Sequence, residues 1–247
     1  MALNVIFTTY LTKKLGFSQH DSSNNRKGGS KPDDFKLMKN WYESIIKILN
    51  KNTHAVIFHN ECSPLFTKQY ETPFLKFEKW EKQHRPSYND ERFYCFLEYL
   101  TTNLNIDNAF WVDMFDVVFY DNPFQIIKDD YQIYCGSEQR SKPGSFNWKW
   151  VNRKMQREGK LPPLGKEDTI YNAGCCGGHR SKVISLLKYM TTILDTKPKK
   201  FNLNMPIFNH SLRELKQTRG WKVFTGYPLH NVFESNVVKT GTFIKHK

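Results

Sequence analysis

The sequence predicts an α/β fold: a single domain with a mostly parallel, Rossmann-like central sheet flanked by helices, and a smaller mixed or antiparallel region. Three observations predict it. Through the first half of the chain, short apolar runs of strand character alternate with stretches of helical periodicity, the pattern of βαβ units. The 247 residues are 39% hydrophobic and 15% aromatic, which suffices for the core of one large domain. No uninterrupted apolar span of about 18 residues occurs, so no transmembrane helix is expected.

Residues 2–9, "ALNVIFTT", read as the first strand and not as a signal peptide, since no basic start precedes the apolar run. Residues 16–32, rich in Gly, Ser and Asn, read as a long mobile loop, a type that often serves as a lid or binding loop. Residues 33–50 open on two aspartates and place Leu37, Trp41, Ile45, Ile48 and Leu49 at helical spacing. "HAVIFHN" (54–60) is a buried-type strand and "PFLKFEKW" (73–80) a short one. Residues 89–104 form a helix with acidic residues in its first turn, and "NAFWVD" (108–113) is the next strand. "YQIYCGS" (131–137) is a strand and 146–160 a helix. Residues 168–178, "DTIYNAGCCGG", predict a short strand running into a glycine turn. Helices follow at 181–195 and at 205–215, the latter with proline in its first turn. Residues 221–225 and 241–247 are the terminal strand candidates. No internal repeat and no linker divides the chain.

The five cysteines include no CxxC pair, and Cys175 and Cys176 are adjacent, so they read as buried small hydrophobes in a reducing compartment. A cytoplasmic location is expected, with peripheral membrane contact left open. The net charge of +13 attracts polyanions, phosphates or an anionic surface without choosing among them. The basic residues are scattered, the clearest cluster being Lys197-Pro198-Lys199-Lys200, and no basic amphipathic helix is evident.

The segment that carries chemistry is "FWVDMFDVVFYDNPF", residues 110–124. It puts Asp113 and Asp116 into the most apolar part of the chain, where charge is rarely buried without a partner. Asp113 falls where a strand ends, and parallel α/β sheets bind ligands beyond the carboxyl ends of their strands. Residues three apart on a strand face opposite sides. The two carboxylates therefore converge only if the chain turns between them and "VVFY" forms a separate strand. Such a pair suits Mn²⁺ or Mg²⁺. The alternative on spacing alone is that Asp116 caps the turn and Asp113 pairs with a lysine or arginine.

This segment resembles the metal-binding stretch of GT-A type glycosyltransferases: an apolar strand, an Asp-x-Asp-like element, an apolar triplet, then Asp/Asn-Pro-Phe. "YNAGCCGGHRSKVISLL" (171–187) is similar to the family's Asn-x-Gly segment before a helix, and "GYPLHNVF" with the terminal "FIKHK" resembles its late His and Lys. The resemblance implies a GT-A-like domain, with 1–120 as nucleotide-binding half and 121–247 as donor-sugar and acceptor half. It implies metal-dependent transfer of a sugar from a UDP- or GDP-sugar to a hydroxyl of a glycan or glycoconjugate, by a monomer or weak dimer. The first acid of Asp-x-Asp is displaced, giving Asp-x-x-Asp with Met114 between. Asp116 is then the direct ligand, Asp113 a ligand or a partner of ribose or water, and His246 a third ligand beside Lys247.

Asn172 and Gly174 would border the donor sugar, and Gly177-Gly178 would allow close backbone approach. The nucleotide is expected at the ends of the first two strands, with Thr8, Thr9 and Tyr10 on one and His59 and Asn60 on the other. Tyr10 would stack on the base and Asn60 bond its edge. An inverting reaction needs a base for the acceptor hydroxyl. Glu167 and Asp168, before the Asn-Ala-Gly segment, are candidates, and Glu138 is a third. His210 and His230 are ambiguous. Two other classes compete: a metal-dependent nuclease or phosphotransferase, and a basic single-strand nucleic-acid-binding module. No second metal cluster, P-loop or RNA-binding signature supports them, and no nucleic-acid partner is expected.

Overall fold

Strand β1 (Leu3–Tyr10) is buried on both faces, and its alternate side chains enter two different cores. Val5 and Phe7 point to one core, Ile6 and Tyr10 to the other. The computed structural model, which describes residues 3–12, 32–128, 130–137, 144–168, 170–229 and 238–246, builds outward from this strand. Parallel to β1 on either side run β2 (Thr53–His59) and β4 (Ile106–Val112), and β3 (Leu75–Lys79) lies parallel outside β2. Beyond β4, β7 (Tyr171–His179) is antiparallel, followed by β6 (Ile133–Ser137) and then β8 (Val223–Thr225). The seven-stranded order is β3-β2-β1-β4-β7-β6-β8. Strands β5 (Val117–Phe119) and β9 (Ile244–His246) form a second, two-stranded antiparallel sheet.

Helices cover both faces. On one side α1 (Phe35–Ile45) buries Met38, Trp41 and Ile45, and α2 (Pro64–Tyr70) buries Phe66. On the other lie α3 (Tyr88–Thr102), α4 (Phe146–Arg157), α5 (Arg180–Asp195) and α6 (Asn204–Arg219). They contribute Phe93, Phe96, Val151, Met155, Leu186, Met190, Phe208 and Leu212 to the larger core. Side-chain oxygens satisfy orphan N–H groups where helices begin: Asp34 accepts from Lys36 N, Ser63 from Phe66 N and Ser145 from Trp148 N. Gly220, at φ 62°, ends α6 in the left-handed conformation that glycine adopts without strain.

The architecture is the α/β class that the alternation predicts, with three differences. Helix α1 stops at Ile45, because Asn50 bridges Thr53 and turns the chain into β2. Helix α2 carries too little periodicity to be read as a helix, although Ser63 and Pro64 are a cap and first-turn proline. The expected glycine turn does not exist. Residues 171–179 are one continuous strand, and a Cβ on Gly177 would fall within 3.0 Å of the Phe110 ring and the Ala109 carbonyl of β4. That glycine lets two strands approach each other, not a strand approach a ligand.

The five cysteines are free and buried, as their sequence context implies. Burial pushes the Cys62 thiol up to about 12. No helix among the described residues is long and apolar enough to cross a membrane.

Candidate functional site

The direction of the connections creates the site. β1 passes to β2 on one side, while β3 returns through α3 to β4 on the other. A crevice therefore opens at the carboxyl ends of the central strands. Asp113 is the first residue past β4, its N–H donating to Gly174 O at 2.8 Å as the last rung of the β4–β7 pairing. The chain then bends through Met114, Phe115 and Asp116 before β5 begins. This is the turn that convergence of the two carboxylates requires. Met114 is buried, and the Phe115 ring packs edge-on against Tyr10, so apolar contacts fix the bend.

Strand β9 supplies the third member. Its register sets His246 opposite Val117, next to Asp116. His246 Nε2 lies 3.4 Å from Asp116 Oδ1 and 3.6 Å from Asp113 Oδ2. One donor atom from each of the three residues falls within 4.8 Å of the others. The imidazole is buried, whereas the carboxylates remain about a third exposed, at 34% and 40%. The donors thus sit on a solid floor with one side open.

Two further residues shape this floor. Arg92, buried in α3, binds Asp113 Oδ1 through Nη1 and donates from Nη2 to Ala173 O at 3.1 Å. One carboxylate oxygen is thereby committed to the guanidinium, and Oδ2 is turned toward His246. Burial alone would push the Asp113 carboxyl up. The charge of Arg92, then that of His246, and the Arg92 hydrogen bond outweigh it and hold the group below the ordinary carboxylate value. Gly174 makes room: a Cβ there would lie within 3.0 Å of both the Asp113 carboxylate and the His246 ring. The buried Asn172 accepts the Gly174 N–H at 2.6 Å and fixes that stretch of β7.

Two carboxylate oxygens and one imidazole nitrogen, around a hollow that a single methyl group would fill, fit a first-row divalent cation. Imidazole is a better ligand for Mn²⁺ than for Mg²⁺, which favours oxygen alone.

A cleft of about 260 Å³ lies at the carboxyl ends of β1, β2 and β3, on the same end of the sheet as Asp113. Leu11, Asn60, Lys79, Trp80, Lys82 and Glu91 are among the residues lining it. Glu91 organises its wall: the buried carboxylate accepts from Trp80 Nε1 at 2.8 Å, His84 N at 2.9 Å and Arg85 N at 2.6 Å. Glu91 and Arg92 are neighbours on α3, so one turn of helix braces the cleft with its acid and the cation cluster with its base. Sequence reading missed both. The available signal was the run Asp90-Glu91-Arg92, three consecutive charges that the structure buries in one helix.

The other expected residues divide. Asn60 does line the cleft, its Oδ1 accepting from Thr12 N at 2.9 Å. Thr9 is half-buried within β1. Thr8 is fully buried and donates to Val112 O at 2.9 Å, tying β1 to β4. Tyr10 is fully buried with its hydroxyl on Asp34 O at 3.2 Å, so its ring offers no face to a base. Burial pushes its phenol up. His59 is also structural: Nδ1 accepts from Cys62 N at 3.2 Å, and burial, then the charge of Lys79, lowers its pKa. Asp168 accepts from Gly165 N at 2.7 Å, capping its own turn, while Glu167 is exposed beside it. His210 is buried on α6, with Nδ1 3.0 Å from Arg213 Nη2. Glu138, His230, Lys247 and most of the 16–32 loop lie outside the described residues.

No protein-family model matches the chain, and no curated protein matches it.

Proposed function

We propose that the protein is a metal-dependent glycosyltransferase that takes a UDP- or GDP-sugar as donor and a hydroxyl of a glycan or glycoconjugate as acceptor. One observation carries the reading: Asp113, Asp116 and His246 converge around Gly174 at the end of β4, on the end of the sheet where a cleft opens past β1–β3. A nucleotide in that cleft would extend its diphosphate toward the three donors. Asp116, Asp113 Oδ2 and His246 Nε2 would hold Mn²⁺, and Arg92 would keep Asp113 oriented. When bound, the cation supplies Lewis-acid stabilisation of the departing diphosphate. Arg92 also offsets one of the two carboxylate charges, which favours a cation that arrives with a diphosphate over either alone. Lys79 and Lys82 line the cleft, paired with Glu81 at 2.6 Å and Glu98 at 2.5 Å, and an arriving diphosphate would compete with those carboxylates for them. Gly174, and Asn172 behind it, would border the sugar. We assign the acceptor-side base to Glu167, whose carboxylate is exposed before β7, over the turn-bound Asp168.

The test is thermal melting with UDP and GDP, each with Mn²⁺, with Mg²⁺ and with chelator. At a nucleotide concentration of about 100 times Kd, the expected stabilisation is roughly 2.7 kcal/mol, seen only with metal. Asp116→Asn should remove it without unfolding the protein, since Asp116 is 40% exposed. Metal-independent stabilisation, or a wild-type response in Asp116→Asn, refutes the assignment. A screen of nucleotide-sugars for metal-dependent hydrolysis then identifies the donor.

A further inference from the structure

The amphipathic face that the sequence conceals lies on α4. Its inner side is apolar, with Val151 and Met155 fully buried in the larger core. At 3.6 residues per turn, Phe146, Trp150, Arg153 and Arg157 fall within one narrow outward stripe, with Lys149 and Lys154 on its margins. Phe146 is 67% exposed and Trp150 37%, both unusual for large aromatic side chains. Along the stripe the charged side chains are all cationic. Glu158, 3.5 Å from Lys154, lies at the helix end outside it. A second basic element lies alongside: Lys154 Nζ donates to Asn202 O at 3.3 Å, which ties α4 to the loop bearing Lys199 and Lys200, both exposed.

From this we infer that the α4 face, extended by the 197–200 loop, docks the protein on an anionic lipid bilayer. Charge complementarity selects the occupant, because clustered Lys and Arg on a helix are drawn to an acidic leaflet. The aromatics distinguish this face from a merely solvated basic surface. Phe146 and Trp150 can enter the boundary between headgroups and acyl chains, where aromatic side chains are favoured. The face is separate from the cation cluster, and its role does not depend on the chemistry there.

The full chain is mixed with sedimentable vesicles of phosphatidylcholine, with or without about 30 mole per cent phosphatidylserine. Binding is expected only to the anionic vesicles and should weaken as salt rises. Each basic residue near the surface strengthens binding on the order of fivefold. Arg153→Gln with Arg157→Gln should therefore weaken it by about 25-fold, with a fall in melting temperature of no more than a few degrees, since Arg157 lies in the last turn of α4. Phe146→Ala should weaken the binding that survives at high salt. Lys36→Gln with Lys188→Gln, an equal change of net charge at exposed sites elsewhere, should bind nearly as wild type. Three results would overturn the inference: equal binding to both vesicle types, equal loss in the two double variants, or binding of single-stranded RNA or heparin by α4 without binding of vesicles.

Discussion

Gly174→Ala adds one methyl group at the floor of the cation cluster, and the structure fixes the sign of its effect. In an unstrained position, replacing glycine by alanine stabilises a protein by about 0.4–1 kcal/mol, because the unfolded chain loses freedom. Gly174 lies within a strand and has no left-handed φ, so backbone strain does not oppose the change. Space does. The new Cβ would sit within 3.0 Å of the Asp113 carboxylate and the His246 ring. Neither yields easily, since Asp113 is held by the buried Arg92 and His246 by its pairing in β9. Overpacking of this kind costs about 1–3 kcal/mol. The net is a destabilisation of up to roughly 2.6 kcal/mol, or a fall in Tm of up to roughly 10 °C for a chain of this size. The methyl group also spreads the donors, so Mn²⁺ affinity in the presence of UDP should fall by about 10–100-fold. Calorimetric melting in chelator gives the first quantity and isothermal titration the second. Gly177→Ala provides the contrast: its crowding is against β4, so it should lower Tm and leave cation affinity intact. A Gly174→Ala protein that melts higher than wild type and binds Mn²⁺ as well would refute the geometry of the cluster.

Two other perturbations probe the surroundings of the site. Arg92→Met removes the buried partner of Asp113 and should cost about 1–3 kcal/mol in chelator. Mn²⁺ should restore more of the lost stability than it adds to wild type, whereas an unchanged Tm would show that the pair does not hold the fold. His59 has its folded-state pKa lowered by burial and by Lys79, and its Nδ1 must stay unprotonated to accept from Cys62 N. The unfolded chain therefore takes up the proton first, and the stability contributed by neutral His59 is lost as pH falls below the ordinary imidazole value of 6.5 toward the folded-state pKa. His59→Asn, which keeps an acceptor without the titration, should flatten the dependence of Tm on pH across that window. An identical slope in the variant would assign the effect to other groups, such as the similarly lowered His210.

Much of the site was legible because its residues announce a conflict with their surroundings. Asp113 and Asp116 stand in an apolar run that ends a strand, and His246 sits in a late apolar strand with a basic end. The convergence expected of the aspartates and the arginine partner expected of Asp113 are both present. The turn brings them together near His246, and Asp113 is also paired with an arginine. Tyr10, Thr8 and His59 misled because the end of a strand is where a ligand residue and a packed residue look alike. The difference lies in what covers the side chain, and Phe115 and Cys62, which contact Tyr10 and His59, stand far from them in the sequence or gain meaning only once the chain has folded. Glu91 and Arg92 were invisible for the same reason. A charge on a helix is ordinarily solvated, and their burial depends on β4, β7 and the 80–85 loop closing over α3.

By itself the sequence determined the α/β class, the position of the central strands and the acidic bend after β4, since periodicity, caps and turns are local and act within a few residues. Tertiary structure alone decided that β7 continues through its glycines, that Arg92 takes one oxygen of Asp113, and that Glu91 is buried beneath the 80–85 loop, whereas the return of His246 to the aspartates was expected only through the family resemblance. Those outcomes rest on contacts between segments many residues apart, whose energies depend on packing and burial that no local stretch of chain encodes.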